Sequence, residues 1–436
     1  MTHRQRILAD RLIAVPVAFL FNGISRVLGK CLRRDHSITP SNVNRIVVAK
    51  LIGMGSILQA TPLLKALKQR YPHAILTFVT MRSNRELVMR LTCVDECLVL
   101  DDSSILAMAS STVQTIGALV RLRADLYFDL EIYSGFASLL ALWAMTRNRI
   151  GFYRHSVAFK KGIYTHLVYF NTRMPVRRLY LQLGRVMGLP SGEAEAIGPI
   201  RVDDECRCGV QRILSSDSAW QFQKPYIVIN PNASELLLER RWPAEFFAET
   251  VRHLVSRGYQ VALVGIRGER PYVQSLIDLL SADVKSCLMN TAGLLNLGEL
   301  LALLEGAACV LTNDSGPMHM AIALQRPTVC LFGPASPGHY GQRLNYVEIF
   351  YARVFCSPCV HETDEPPCHG DNVCMQLIQP EPVLQAVLRL ASPDSRGKDV
   401  QYGSDSCARL TSIADAPDGR PLGVVVRASL KQAGIP

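Results

Sequence analysis

The sequence predicts an α/β protein made of two successive doubly wound, Rossmann-like domains with the active site in the cleft between them. Three observations carry the prediction. From residue 45 onward, short β-branched runs alternate with amphipathic stretches of helical period, the pattern of βαβ units around a parallel sheet. The rhythm breaks over residues 190–224, where Gly, Ser, Pro and charge accumulate, and then restarts, as at an interdomain connection. The 436 residues, 49% hydrophobic and 19% charged, suffice for two full-sized cores and exclude a wholly disordered chain.

The expected domains are residues 41–205 and 206–390. A basic and apolar segment (1–40) precedes them, and a tail (391–436) follows in which periodicity fades, so disorder is expected there. In the first domain, strands are read at 45–50 (RIVVAK), 74–80 (AILTFVT), 96–100 and 125–131, with helical stretches at 57–70 and 105–123. Residues 151–189 read as further helical material. In the second domain, strands at 226–230 (YIVIN), 259–264, 308–312 and 328–332 alternate with helices at 243–256, 297–305, 317–324 and 380–390. The first of these helices has Pro243 in its first turn, where a missing N–H costs nothing.

The net charge of +10 points to an anionic partner: a membrane surface, a phosphorylated glycolipid, a sugar nucleotide or nucleic acid. The basic residues are dispersed and no aromatic-basic recognition motif accompanies them, so no nucleic acid partner is expected. The 13 cysteines run from Cys31 to Cys407 and lack the density of a disulfide scaffold, which suits reduced thiols in a cytoplasmic protein. Residues 12–21 are apolar around Pro16. Arg4, Arg6 and Arg11 precede them, and Arg26, Lys30, Arg33 and Arg34 follow. The run is too short to span a bilayer as a helix. It fits an interfacial helix on the anionic inner face of the cytoplasmic membrane, or a helix docked on its own domain.

Three strand-to-helix junctions carry chemistry. In residues 311–334 (LTNDSGPMHMAIALQRPTVCLFGP), Asn313, Asp314, Ser315 and Gly316 separate a strand from a helix. The N–H groups at such a helix start favour a pyrophosphate, Gly316 allows close approach, and His319 lies in the first turn. An ordinary Asp/Ser helix cap is the alternative. In residues 230–243 (NPNASELLLERRWP), Arg240 and Arg241 precede Trp242 and a helix start, where guanidinium groups can clamp a diphosphate. A solvated charge pair with Trp242 as a packing anchor is the alternative. In residues 50–71, a strand enters the glycine loop Gly53-Met54-Gly55-Ser56. This loop lacks the third glycine of a dinucleotide fingerprint and the G-K-[ST] of a P-loop, so neither NAD nor ATP is supported as a cofactor.

The D-S-G-P-M-H, R-W-P and A-T-P-L-L-K-A-L segments, in this order and context, resemble glycosyltransferase family 9, which includes the ADP-heptose:lipopolysaccharide heptosyltransferases. The resemblance runs from about Arg45 to Leu390. It implies a GT-B fold and an inverting, metal-independent transfer of a heptose or related sugar. The donor would be an ADP-sugar held by the second domain, with a lipid-linked oligosaccharide acceptor on the first. No cofactor is implied, because the nucleotide sugar is a substrate. Carried over residue by residue, Ser315, Gly316 and His319 contact the diphosphate, Arg240 stands where the family has Lys or Arg, Asp314 lies near the donor sugar, and Glu269 touches ribose or sugar hydroxyls.

One position departs from the pattern. The family's catalytic Asp after the first-loop glycine is here Ser56, which cannot deprotonate an acceptor hydroxyl near neutral pH. The carboxylates of residues 128–131 (FDLE) end a strand and can face the cleft, so Glu131 or Asp129 is the expected replacement. Capping of the helix that starts near Ser134 is their alternative task. The departure also admits a divergent enzyme with another nucleotide-sugar donor, or a non-catalytic glycan-assembly protein that keeps the nucleotide site. Finally, Cys356, Cys359, Cys368 and Cys374, with His361 and His369 nearby, have a spacing compatible with zinc. Reduced thiols or a redox-sensitive loop are the preferred reading.

Overall fold

The computed structural model describes residues 8–32, 36–38, 43–189, 196–233, 237–360, 362–363 and 366–392. The expected tail lies outside the described residues from position 393 onward. Contacts divide the chain into two units, Met1–Val202 and Asp203–Pro436.

Unit 1 begins with a π-helical turn, Asp10–Ala14, that runs into α1 (Val15–Leu32). It continues with β1 (Arg45–Ala49), α2 (Met54–Gln59), α3 (Thr61–Arg70), β2 (Ile75–Met81), α4 (Arg85–Met89), β3 (Glu96–Leu100), α5 (Ile105–Leu122), β4 (Leu126–Asp129), α6 (Gly135–Trp143), β5 (Asn148–Tyr153), β6 (His166–Tyr169) and α7 (Val176–Arg185). The strands pair in parallel in the order β3-β2-β1-β4-β5-β6. This is the doubly wound order, whose strand sequence reverses between the first and fourth strands.

Unit 2 contains α8 (Asp204–Ser215), β7 (Tyr226–Asn230), α9 (Ala244–Ser256), β8 (Gln260–Leu263), α10 (Arg270–Asp278), α11 (Ala282–Lys285), β9 (Leu288–Asn290), α12 (Leu297–Gly306), β10 (Cys309–Asn313), α13 (Gly316–Ala323), β11 (Thr328–Phe332), α14 (Pro337–Tyr340), β12 (Val347–Tyr351), α15 (Val373–Gln376) and α16 (Pro380–Ala391). Its parallel sheet runs β12-β11-β10-β7-β8-β9, the same order read from the other edge, with the reversal between β7 and β10. Central strands β1, β7 and β10 are buried on both faces, and for that reason they read as continuous apolar runs.

Several elements differ from the sequence expectation. The single helix expected over 57–70 is two, α2 and α3, because Pro62 lacks the N–H needed to continue the first and instead opens the second. Residues 151–189 hold part of β5 and all of β6 before α7. β6 is a half-exposed four-residue edge strand, too short to show a period. The expected connection 190–224 contains α8, which is held to α12 by Arg207, whose guanidinium bonds Glu305 at 2.8 Å.

The N-terminal segment is part of unit 1. Helix α6 is apolar almost all round, so it requires cover on every side. The turn Asp10–Ala14 and α1 supply it. Ala14 and Ala18 join the core layer that includes Leu139 and Leu140, and Phe21 meets Trp143 edge to face. Two glycines permit the close seat: a Cβ on Gly135 would lie 2.6 Å from the Val15 nitrogen, and one on Gly162 would collide with the Asn22 carbonyl. The Asp10 carboxylate then accepts from the Gly135 and Phe136 amides at 3.0 and 2.8 Å and from the Ser134 hydroxyl. It neutralises the positive end of α6 from 125 residues away. Asp10→Ala is expected to lower unfolding free energy by about 1 kcal/mol, the usual worth of an N-cap carboxylate, read by thermal melting. Of the two readings of this segment, docking on its own domain is the one seen here; Leu12, Leu20 and Val27 remain exposed on the helix.

Candidate active site

The expected donor residues gather at the reversal point of the unit 2 sheet. β10 pairs with β7, setting Thr312 beside Asn230, and the chain turns through Asp314 and Ser315 into α13. Ser315 occupies the N-cap position but makes no cap hydrogen bond. Its hydroxyl instead takes a bond from Asn230 Nδ2 at 2.8 Å and donates to the Asn313 carbonyl at 3.0 Å. The alternative of an ordinary Asp/Ser cap is thus not what the turn does. The start of α13 therefore has no side-chain cap, and an anion is what such amides suit. Gly316 keeps the approach open, since a Cβ there would meet nothing nearer than Met320 Cε at 3.9 Å.

The R-W-P segment is tied to this turn. The Trp242 amide donates to Asn313 Oδ1 at 3.3 Å, and its fully buried indole donates to the Ile378 carbonyl at 2.7 Å. Trp242 is therefore the packing anchor, and the arginines before it are aimed by that anchor. Arg240 Nη1 lies 3.5 Å from Asp314 Oδ2, and Arg241 stacks 3.9 Å over the Tyr272 ring. Burial raises the Asp314 carboxyl against the pull of Arg240. Burial, then the Arg240 charge, push His319 down to about 4. His319 Nδ1 and Arg240 Nε are buried without a hydrogen-bond partner. One cation, one neutral imidazole and an uncapped helix start thus converge, a donor set that fits a diphosphate. Glu269 is half-buried in the turn Arg267–Glu269, where its Oε2 accepts from the Ile266 amide at 2.8 Å.

His319 also sets a pH dependence. Its pKa is depressed in the folded state, so the unfolded chain binds the extra proton between about pH 6.5 and pH 4. Stability attributable to it is complete above the unfolded value and falls as pH drops through that window, by up to ~1.4 kcal/mol per pH unit. His319→Gln is expected to flatten that part of the profile in chemical unfolding. An unaltered slope would show that His319 stays charged when buried.

At the equivalent reversal point of unit 1, β1 and β4 deliver the remaining residues. Glu131 Oε1 accepts from the Leu51 and Ile52 amides at 2.8 and 3.1 Å, and its Oε2 pairs with Lys50 at 2.9 Å. Burial alone would raise the carboxyl, but the Lys50 ammonium and the two amides outweigh it and hold the group below its ordinary value. Gly53, with φ +92°, turns the chain into α2; Gly55 and Ser56 lie within that helix. Ser56 hydrogen-bonds the phenol of Tyr180, which burial and then the Glu131 charge push upward.

Asp129 is placed differently. It has no exposed surface and pairs with the equally buried Lys160 at 3.1 Å. It also accepts from the Tyr164 hydroxyl and, at 2.9 Å, from the Glu131 amide. It organises the strand end and reaches no solvent. Neither carboxylate caps the following helix, since Asp10 and Ser134 do so. Lys50, Tyr180 and Asn230 are the site residues that sequence reasoning missed. A polar residue ending an otherwise apolar strand, as Lys50 follows β1 and Asn230 ends β7, was their available signal.

The four cysteines of residues 356–374 are free. Cys359 and Cys374 are buried, and burial plus the neighbouring thiols raise both, Cys374 to about 12. Among the described residues no group of three His, Cys, Asp or Glu side chains is placed to hold a metal, so the zinc arrangement allowed by the spacing is not assembled there; His361 lies outside the described residues.

Comparison with known proteins accords with this geometry. Residues 136–369 match the family model of glycosyltransferase family 9 (heptosyltransferase), more than half of the chain. Lipopolysaccharide heptosyltransferase 2 of Salmonella typhimurium is 34% identical over 129 residues, 30% of this chain and 37% of that one. The match thus spans about a third of that relative's length. Lipopolysaccharide heptosyltransferase 3 of Escherichia coli is 24% identical over 79% of this chain and 97% of its own. The solved ADP-heptose lipopolysaccharide heptosyltransferase II of E. coli superposes with a TM-score of 0.66 at 22% identity, over 80% of this chain and 98% of that one. The fold is accordingly GT-B, with two Rossmann-like units. With its family model matched across the end of unit 1 and most of unit 2, the chain belongs to glycosyltransferase family 9.

Proposed function

We propose that this protein is an inverting glycosyltransferase. It moves a heptose or related sugar from an ADP-sugar to a lipopolysaccharide core or similar lipid-linked glycan, without a metal. The observation that carries the reading is the uncapped start of α13 beside Arg240 and the neutral His319, whose Nδ1 is buried without a partner. The names of the similar proteins support the choice of sugar and acceptor class. In the reaction, an acceptor hydroxyl loses its proton to Glu131, with Ser56 and Tyr180 orienting the group. The oxygen attacks the anomeric carbon on the face opposite the diphosphate, and the bond to the leaving phosphate breaks. Arg240, His319 and the α13 amides take the charge that develops on the diphosphate, and Asp314 holds Arg240 in place. A lipid-linked acceptor places the work at the inner face of the cytoplasmic membrane, with α1 against the lipid.

The test is mass spectrometry of the core oligosaccharide from a strain lacking this protein. The reading predicts a glycan shortened by at least one heptose-sized residue; an unchanged glycan would overturn it. Ser56 favours a second reading, in which the protein takes another nucleotide sugar or assembles glycans without catalysis. Release of diphosphate nucleotide by the purified protein, compared across donors, separates the two.

A further inference from the structure

We propose that α5 is a second membrane contact, so that unit 1 meets an anionic bilayer surface through two helices; this rests on the membrane reading of α1 given above. Two surfaces of the unit share one chemistry. In α5, Leu106 is 82% exposed and Val113, seven residues on, is 71% exposed, with Val120 continuing the stripe. In the N-terminal helix, Ile13, Leu20 and Val27 repeat at the same seven-residue interval, each about two-thirds exposed. A spacing of seven keeps side chains on one helix face. Both helices pack against α6 and contribute to the same core layer, α5 through Leu119 and the N-terminal helix through Ala14 and Ala18. Their outer faces therefore lie on the same side of the sheet. Apolar stripes of this size are uncommon on water-exposed helices of a soluble unit.

Charge selects the occupant. Across Asp10–Ala14, Val15–Leu32 and Ile105–Leu122 the single carboxylate is Asp10, and α6 consumes it. Arg11, Arg26 and Arg121 are exposed. An apolar face on helices that carry exposed cations and no exposed carboxylate of their own suits the headgroup region of an anionic leaflet, where a second copy of this chain would bring the same cations into opposition.

The full-length protein is tested by co-sedimentation with vesicles of phosphatidylglycerol and phosphatidylethanolamine, with phosphatidylcholine vesicles as the neutral control. The wild type should bind the anionic vesicles and lose binding as salt rises. Leu106→Glu/Val113→Glu in α5 and Ile13→Glu/Leu20→Glu in the N-terminal helix should each lower binding at least ten-fold. Should the α5 pair misfold, Val113→Trp serves instead, its added indole emission expected to shift to shorter wavelength with anionic vesicles. Full binding by the α5 variant, or an unshifted emission from Val113→Trp, while the N-terminal variant fails to bind would overturn the role of α5 and leave the membrane reading of α1 intact. Full binding by both would overturn the two together. A wild-type dimer in solution that the α5 variant converts to monomer, without vesicle binding, would assign the face to a second copy and overturn the proposal.

Discussion

Replacing Glu131 with Gln is expected to lower turnover by about 100-fold or more, the usual worth of a general base, while leaving nucleotide binding at its wild-type level. The amide keeps an oxygen for the Leu51 and Ile52 amides that now bond Glu131, so the loop before α2 retains an anchor and the loss reports on the missing proton acceptor. The pH profile distinguishes base from anchor. Lys50 and the two amides hold the Glu131 carboxyl below its ordinary value, so turnover should persist to lower pH than an unperturbed glutamate permits and fall only as that carboxyl protonates. The acid limb should vanish in Glu131→Gln. Ser56→Ala should cost far less, since Ser56 hydrogen-bonds Tyr180 and takes no proton. Asp129→Asn should instead lower stability, because it weakens a fully buried pair with Lys160. Near-native turnover in Glu131→Gln would assign the proton to another group or to the substrate.

Arg240→Ala should weaken ADP binding about 100-fold, the combined worth of charge-assisted hydrogen bonds to a diphosphate. A wild-type protein held at about 100 times its dissociation constant gains roughly 2.7 kcal/mol of unfolding free energy from ligand; the variant at the same concentration should gain about 0.4 kcal/mol. Without ligand the variant should also melt earlier, since Asp314 loses its ion-pair partner in a buried setting. Arg240→Lys restores the charge but not the planar fork and should fall between. His319→Ala should weaken binding less, because a neutral imidazole contributes one hydrogen bond without a full charge. An ADP response unchanged in both alanine variants would remove the diphosphate from this turn.

The candidate donor turn is legible in the sequence because its parts are local. A β-branched run, a polar turn and a proline in the first helical turn occupy consecutive positions from Cys309 to Met320. The central strands were readable for the same reason. Contacts between distant residues were not. Nothing near Glu131 announces that it bonds Leu51, 80 positions earlier, or that Asp10 rather than a local carboxylate caps α6. These partnerships arise only when β4 lies beside β1 and α1 covers α6. The preference for Glu131 over Asp129 likewise needed burial: both stand at the end of the same strand, and Asp129 is the one enclosed with Lys160 and Tyr164. The half-exposed four-residue strand β6 carries too few apolar positions to declare a period.

The most direct test of the account incubates the purified full-length protein with ADP-heptose and a lipid-linked core acceptor. ADP release is followed, and the anomeric configuration of the product is determined by NMR. The account predicts acceptor-dependent ADP release, a product one heptose heavier, and an anomeric configuration opposite to that of the donor. ADP release without transfer, a product of retained configuration, or no turnover of ADP-heptose by a protein that binds ADP would contradict it.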